Sequence, residues 1–185
     1  MDVYKNCPVL SGGHFLLRQV EPGDCDDLLK VYSDLKAVPI FNSDNCTGDF
    51  YITTQEDMLG TIDFWLTEYG QRYYVRWSII DRAAGSAVGT IELFNRTAED
   101  FFNNMGLLRL DLRSDYETGE DIRKIMELLL PRVEEMFGCG TVATKIPPCA
   151  GIRRETLCGM GFVSVPHEVV GHNGRRYGDY YICTL

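Results

Sequence analysis

Leu107–Phe137 reads LLRLDLRSDYETGEDIRKIMELLLPRVEEMF, and a change of period inside it decides the fold. Leu108, Leu110 and Leu112 alternate with Arg109, Asp111 and Arg113, the period-2 pattern of a half-buried strand. From Ile122 the apolar residues Ile122, Ile125, Leu129, Val133 and Met136 recur at steps of three and four, which puts them on one helical face. A strand feeding a helix through a tight loop aims several free backbone N–H groups at whatever lies above it, the usual geometry for holding a phosphate. Here the loop and helix start carry Asp115, Glu117, Glu120 and Asp121 against Arg113. Two unit charges ~5 Å apart at an effective dielectric of ~20 interact by roughly 3 kcal/mol. A carboxylate facing a phosphate would therefore offset the under ~2 kcal/mol that a helix N-terminus offers. Acidic residues in a first turn also stabilise a helix with no ligand at all. Pro131 removes a helical hydrogen bond and predicts a bend near 128–131.

Before this stretch, His14–Val20 (HFLLRQV) is a strand candidate, followed by the turn EPGD and a short helix from Asp24 through Ser33. Residues 34–52 are irregular, punctuated by Pro39, Asn42, Asn45 and Gly48, and a loop this long can form one wall of a substrate pocket. Thr53 and Glu56 have capping-box spacing and open a helix with Met58, Ile62, Trp65, Leu66 and Tyr69 on one face, ending at Gly70. Tyr73–Asp81 and Ala87–Phe94 make a hairpin through Arg82–Ser86, and Asn95–Gly106 is a polar connection. After the central unit come a strand at Thr141–Ile146, a short helix at Ala150–Met160, and an antiparallel pair of Phe162–Val165 with Tyr180–Leu185 around a turn holding Arg175 and Arg176. The order β α α β β β α β α β β describes a mixed α/β sandwich with helices on both faces of its sheet, in a single domain over 1–185.

Composition narrows the function classes. A chain of 185 residues, 45% hydrophobic and 24% charged, has room for a sizeable core. A net charge of −9 argues against a broad nucleic-acid or anionic-membrane footprint. Seven scattered cysteines without a C-x-x-C pair favour reduced thiols over a disulfide frame or a zinc site. No signal peptide is visible at the N-terminus, and no apolar run approaches the ~20 residues that span a membrane. A soluble cytoplasmic protein with no bound metal is the expectation. His14, His167 and His172 stand apart and take no role.

The order of elements, the hairpin RWSIIDRAAGSAVGTIELF, the strand–loop–helix and the late helix closing on GMGF together resemble the GNAT acyl-CoA N-acyltransferases, most of all the branch with the ribosomal-protein alanine acetyltransferases. The resemblance runs from FLLRQVEPGD to the terminal strand. It implies a mostly antiparallel sheet with one splayed parallel pair, Leu107–Leu112 and Thr141–Ile146, whose gap takes the pantetheine arm of acetyl-CoA as co-substrate. Implied cofactor contacts fall at Leu110, Leu112, Arg113, Thr118, Gly119, Glu120, Asp121 and Ile122, with Arg153 and Arg154 within reach of the phosphates. The family's diphosphate motif has a basic or amide residue, glycine three residues on, and glycine or alanine two beyond; those places hold Glu117, Glu120 and Ile122, with Gly119 out of step. Starting the motif at Tyr116 makes Gly119 its first glycine and leaves Asp121 in the last place, which does not fit either. The family's late-helix asparagine position is Ala150, and its thiolate-reprotonating tyrosine position is Leu157, which has no proton to give. Cys158 beside it reads as a small core hydrophobe.

Acyl transfer to an amine needs a base, an oxyanion donor and a proton for the departing thiolate. Glu92 in GTIELF, flanked by Ile91, Leu93 and Phe94, is the candidate base; read as an outward residue of its strand, it is merely exposed. A backbone N–H near Leu112 is the candidate oxyanion donor, and the Tyr116 phenol the candidate acid. Two function classes follow: an acetyltransferase acting on a primary amine of a peptide or small molecule, as monomer or homodimer, and a catalytically degenerate binding module on the same fold that does not hold CoA through the usual loop. Segment 34–52 and the Arg175–Arg176 turn would shape the choice of acceptor.

Overall fold

The computed structural model describes residues 2–185. Ten strands form in chain order: β1 (Leu10–Ser11), β2 (Phe15–Gln19), β3 (Val75–Asp81), β4 (Ser86–Asn95), β5 (Gly106–Leu112), β6 (Thr141–Lys145), β7 (Val163–Ser164), β8 (Val169–Val170), β9 (Arg176–Tyr177) and β10 (Tyr180–Thr184). The helices are α1 (Cys25–Tyr32), α2 (Gln55–Gly70), α3 (Gly119–Leu129), α4 (Val133–Phe137) and α5 (Gly151–Gly159). Eight strands make one sheet in the order β1-β2-β3-β4-β5-β6-β10-β7, and β8 pairs with β9 separately. Every pairing is antiparallel except β5 with β6.

That exception positions the site. β5 and β6 run parallel through Gly106↔Val142, Leu107↔Ala143 and Leu108↔Thr144, then pair no further although β5 continues to Leu112. Three features carry the chain to this parting. Thr118 caps α3 by accepting the Asp121 N–H at 3.1 Å. Pro131 breaks the predicted long helix into α3 and α4 around a 3-10 turn at Leu130–Arg132. On β4, Gly89 lies so close to β5 that an added Cβ would stand 2.2 Å from the Asp111 carbonyl oxygen, opposite a register shift at Ile79/Ile80.

One sheet face, with Trp77, Ile79, Ile91, Leu93, Leu108, Leu110 and Leu112, buries against Ile122, Ile125, Met126 and Leu129 of α3 and Val133 of α4. Each such side chain contributes about 1.5–3 kcal/mol when fully buried. The other face is covered by α1 and α2, whose Leu28, Val31, Tyr32, Met58, Ile62 and Trp65 form a second cluster. Two local expectations shift. The cap of α2 is Thr54, which accepts from the Asp57 N–H, one residue later than the spacing of Thr53 and Glu56 indicates. Asp24 does not cap α1 with its side chain; the carboxylate instead takes Arg18 at 2.9 Å and the Ser78 hydroxyl at 2.6 Å.

Candidate active site

Neighbouring residues of a strand point their peptide groups to opposite edges, so Leu108 and Leu110 face the same edge of β5. The Leu108 carbonyl accepts the Thr144 hydroxyl at 3.0 Å, where the parallel pairing ends. The Leu110 carbonyl, in the parting, accepts Arg153 Nη1 at 2.6 Å. Arg153 comes from the first turn of α5, and its other two nitrogens hold the Glu117 carboxylate at 2.8 and 2.6 Å. Both side chains are buried, Arg153 at 2% and Glu117 at 8% exposure. The β5 edge at Leu110 is therefore occupied by an internal ion pair. Arg153, expected to reach for phosphates, has all three nitrogens engaged within the protein.

The rim resolves the charge conflict locally. Arg113 holds Asp115 at 2.7 and 2.9 Å, and this hydrogen bond depresses the Asp115 pKa. Lys124 pairs with Glu120 at 2.6 Å and likewise lowers its pKa. Asp121 accepts the Thr118 hydroxyl at 2.8 Å. Asp34, from the 34–52 segment, accepts the Ser114 N–H at 2.9 Å. Among the described residues, the N–H groups of Gly119 and Glu120 have no partner. Gly119 has a packing role: an added Cβ would stand 2.9 Å from Thr156 Oγ1 of α5. Ile122 is fully buried under the sheet, and Leu112 is 1% exposed, both in the apolar core. Arg154 is exposed, its guanidinium 3.4 Å from the Pro148 carbonyl.

On the opposite face lies a buried polar network whose residues alternate with the core side chains of β3, β4 and β5. Arg76 donates to Glu92 at 2.5 Å, to Thr90 Oγ1 at 2.9 Å and to Asp111 at 3.3 Å. Its guanidinium lies 4.2 Å from the Trp65 ring centroid. Tyr32 donates to Asp111 at 3.0 Å, and Arg109 Nε stands 3.5 Å from the second Glu92 oxygen. Glu92 is 1% exposed, so it is neither an outward surface residue nor a carboxylate with an open side. Asp111 is the carboxylate with a spare acceptor: its Oδ1 is buried and unpartnered, and burial raises its pKa despite Arg76. Alternating polar residues read as solvent-facing in a sequence; here α1 and α2 close over them, which is why sequence reasoning missed all but Glu92.

Tyr116 belongs elsewhere. Its hydroxyl donates to Asp81 at 2.7 Å at the β3–β4 hairpin end, and its ring packs on Phe15. Burial, and then the Asp81 carboxylate, pushes its pKa up to about 12. Its proton is engaged away from the Glu92 network. Leu157 is buried core, and Cys158 is exposed, contrary to the core reading for that thiol. None of the seven cysteines is in a disulfide. Among the described residues no cluster of metal-ligating side chains occurs, and no helix is long and apolar enough to cross a membrane.

Set beside solved structures, this architecture has close counterparts. The ribosomal-protein-S5-alanine acetyltransferase from Vibrio fischeri matches at TM-score 0.68 and 15% identity over 95% of this chain and 94% of that one. A GNAT-family acetyltransferase from Bacillus anthracis matches at TM-score 0.69 and 12% identity, covering 96% and 98%. A chimera of the spermidine N-acetyltransferase SpeG from Vibrio cholerae with hSSAT matches at TM-score 0.64 and 13% identity, covering 93% and 96%. No family model matches the chain, and no curated protein matches it in sequence. At these identities the likeness is one of fold, and the fold is that of the GNAT acetyltransferases.

Proposed function

We propose that this chain, built on the GNAT acyltransferase fold, transfers an acetyl group from acetyl-CoA to a primary amine. The observation that carries the reading is the parting of β5 from β6 after Leu108↔Thr144, with the N-terminus of α3 following directly on β5. The edge of β5 at Leu110 and Leu112, beyond its pairing with β6, is the complement for an extended amide-bearing arm. The unpartnered Gly119 and Glu120 N–H groups, and exposed Arg154, are the complement for its phosphates. A fit requires one rearrangement: Arg153 must release the Leu110 carbonyl, since both cannot occupy that edge. Donor affinity then scales with the fraction of molecules in which Arg153 has moved.

The reaction forms an amide bond, breaks a thioester and leaves a thiol. In this reading the base comes from the covered Glu92–Asp111 network, where Asp111 Oδ1 is the unpartnered acceptor, and the ammonium proton reaches it only when the cover of α1 and α2 opens. Glu92 then acts by holding Arg76 and Arg109 in place. With Tyr116 committed to Asp81, its part as acid requires that bond to break. The test is thiol release from acetyl-CoA with a panel of primary amines: amine-dependent release supports the reading, and its absence under saturating donor removes it.

The Arg153–Glu117 pair also favours a second reading, a module on this fold whose β5 edge is occupied by its own side chains and which does not bind CoA. Saturation 100-fold above the dissociation constant stabilises a protein by about 2.7 kcal/mol. A thermal shift with millimolar CoA separates the two readings.

A further inference from the structure

The 34–52 segment and the Arg175–Arg176 turn, distant in sequence, are walls of one cavity. It is an open depression of about 580 Å3, lined by Asp44, Asp49, Lys145, Arg175, Arg176 and Tyr177 among others. Its floor is tied to the parting: Lys145 follows Thr144, the last residue of β6 paired with β5. Lys145 shares a face with its cross-strand partner Tyr180, which clusters with Leu107 and Ala143, whereas Leu108 and Val142 pack with α3. The cavity thus lies on the side of β6 away from α3, with Lys145 one residue beyond the end of the β5–β6 pairing.

Its walls are fastened. The Asp44 carboxylate accepts Lys145 at 2.7 Å and the Tyr180 hydroxyl at 3.0 Å, while Arg109 donates to the Asp44 carbonyl at 2.7 Å. Asn45 Oδ1 accepts the His172 N–H at 3.2 Å, joining one wall to the other.

Charge gives the cavity a preference. Lys145 and Asp44 neutralise each other, which leaves Arg175 and Arg176 against Asp49. Arg176 has only exposed Glu168 at 3.9 Å, a solvent-screened contact. The Arg175 guanidinium lies 5.3 Å from the Tyr177 ring centroid, which steadies it at the rim. On a chain of net charge −9, with Asp49 the carboxylate in the lining and Glu168 a screened partner of Arg176, Arg175 and Arg176 give this wall a cationic character. Their planar donor forks match a carboxylate in a way that an ammonium does not.

We infer that the acceptor carries a carboxylate near its reactive amine, held by Arg175 and Arg176 while the amine points toward the β5–β6 parting. The class is an amino-acid-like amine or short acidic peptide, and polyamines are selected against. This rests on the acetyltransferase reading for its meaning as an acceptor site, but binding at the cavity can be measured without any donor. Calorimetric titration would use three probes without CoA: the tripeptide Ala-Ala-Glu, Ala-Ala-Lys amide, and spermidine. Ala-Ala-Glu is expected to bind at least tenfold more tightly than either cation, with the preference lost in an Arg175→Glu/Arg176→Glu variant. Both positions are exposed, so the variant keeps its fold, checked by an unchanged melting temperature. Equal binding of the three probes, or a preference that survives the double charge reversal, overturns the inference. An acidic peptide that binds at the arginines but is never acetylated keeps the anion site and sinks the transferase; acetylation of spermidine in preference to the peptide does the reverse.

Discussion

Arg153 grips the Glu117 carboxylate with two nitrogens and donates its third to the Leu110 carbonyl, so one side chain from α5 occupies the β5 edge beyond its parallel pairing with β6. Breaking a buried pair by removing one partner costs about 3–5 kcal/mol, because the remaining charge is left without compensation. Arg153→Ala is expected to lower stability by that amount in urea unfolding. The double replacement Arg153→Leu/Glu117→Leu, which leaves no charge behind, is expected to recover most of it. Equal losses in single and double variants would mean that the pair is not a unit.

Tyr116 tests whether its phenol is structural. Burial raises the Asp81 pKa, but the Tyr116 hydroxyl and the N–H groups of Ala84 and Ala83 outweigh it and leave the folded value depressed. A depressed carboxylate contributes stability that is present above its unfolded pKa of about 3.9 and lost as pH falls through the folded value. Tyr116→Phe removes one of the lowering partners. At pH 7 it is expected to cost about 1.5–3 kcal/mol, the range for a hydrogen bond to a charged group. As pH falls below about 3.9 toward the folded value the difference should shrink, because the unfolded carboxyl takes up its proton first and the advantage of the hydrogen-bonded carboxylate is lost. Melting curves across that interval check this, and a pH-independent difference contradicts it.

Gly119 and Thr156 form a second testable pair. The near-contact of a Cβ with Thr156 Oγ1 at 2.9 Å assigns this glycine to the approach of α3 and α5. Gly119→Ala is expected to destabilise by about 1–3 kcal/mol, as overpacking does. Adding Thr156→Ala removes the obstructing oxygen and should restore most of the loss. No coupling between the two replacements would contradict that assignment.

The strand–loop–helix at Leu107–Phe137, the hairpin, and the break at Pro131 were legible because each rests on local periodicity or backbone chemistry. The parting strands were expected by resemblance, and the β5–β6 pairing ends within that expectation. The occupation of the β5 edge was not legible. Glu117 and Arg153 lie 36 residues apart, and nothing in their spacing tells a charge on the rim from one turned inward. The same limit hid the partners of Glu92. Arg76 meets it directly and links it to Asp111 and Tyr32, from three other elements, and alternation along a strand cannot say whether the second face is wet or covered.

Glu92 separates a base from a scaffold. Glu92→Gln leaves the buried Arg76 with only Asp111 as counter-charge and Arg109 with none from this strand. A loss of about 3–5 kcal/mol in thermal unfolding is expected. Asp111→Asn keeps an acceptor for Tyr32 and should lower turnover with less effect on stability. Turnover retained in Asp111→Asn but lost in a stable Glu92→Gln protein would return the role of base to Glu92.

The occupied groove itself is tested most directly by calorimetric titration of CoA into the native protein and into an Arg153→Ala/Glu117→Ala variant. The native protein is expected to bind CoA weakly, and the variant at least tenfold more tightly, because the Leu110 edge is free without an opening step. If neither protein binds at millimolar CoA, the parting does not serve a thioester donor and the acetyltransferase reading fails.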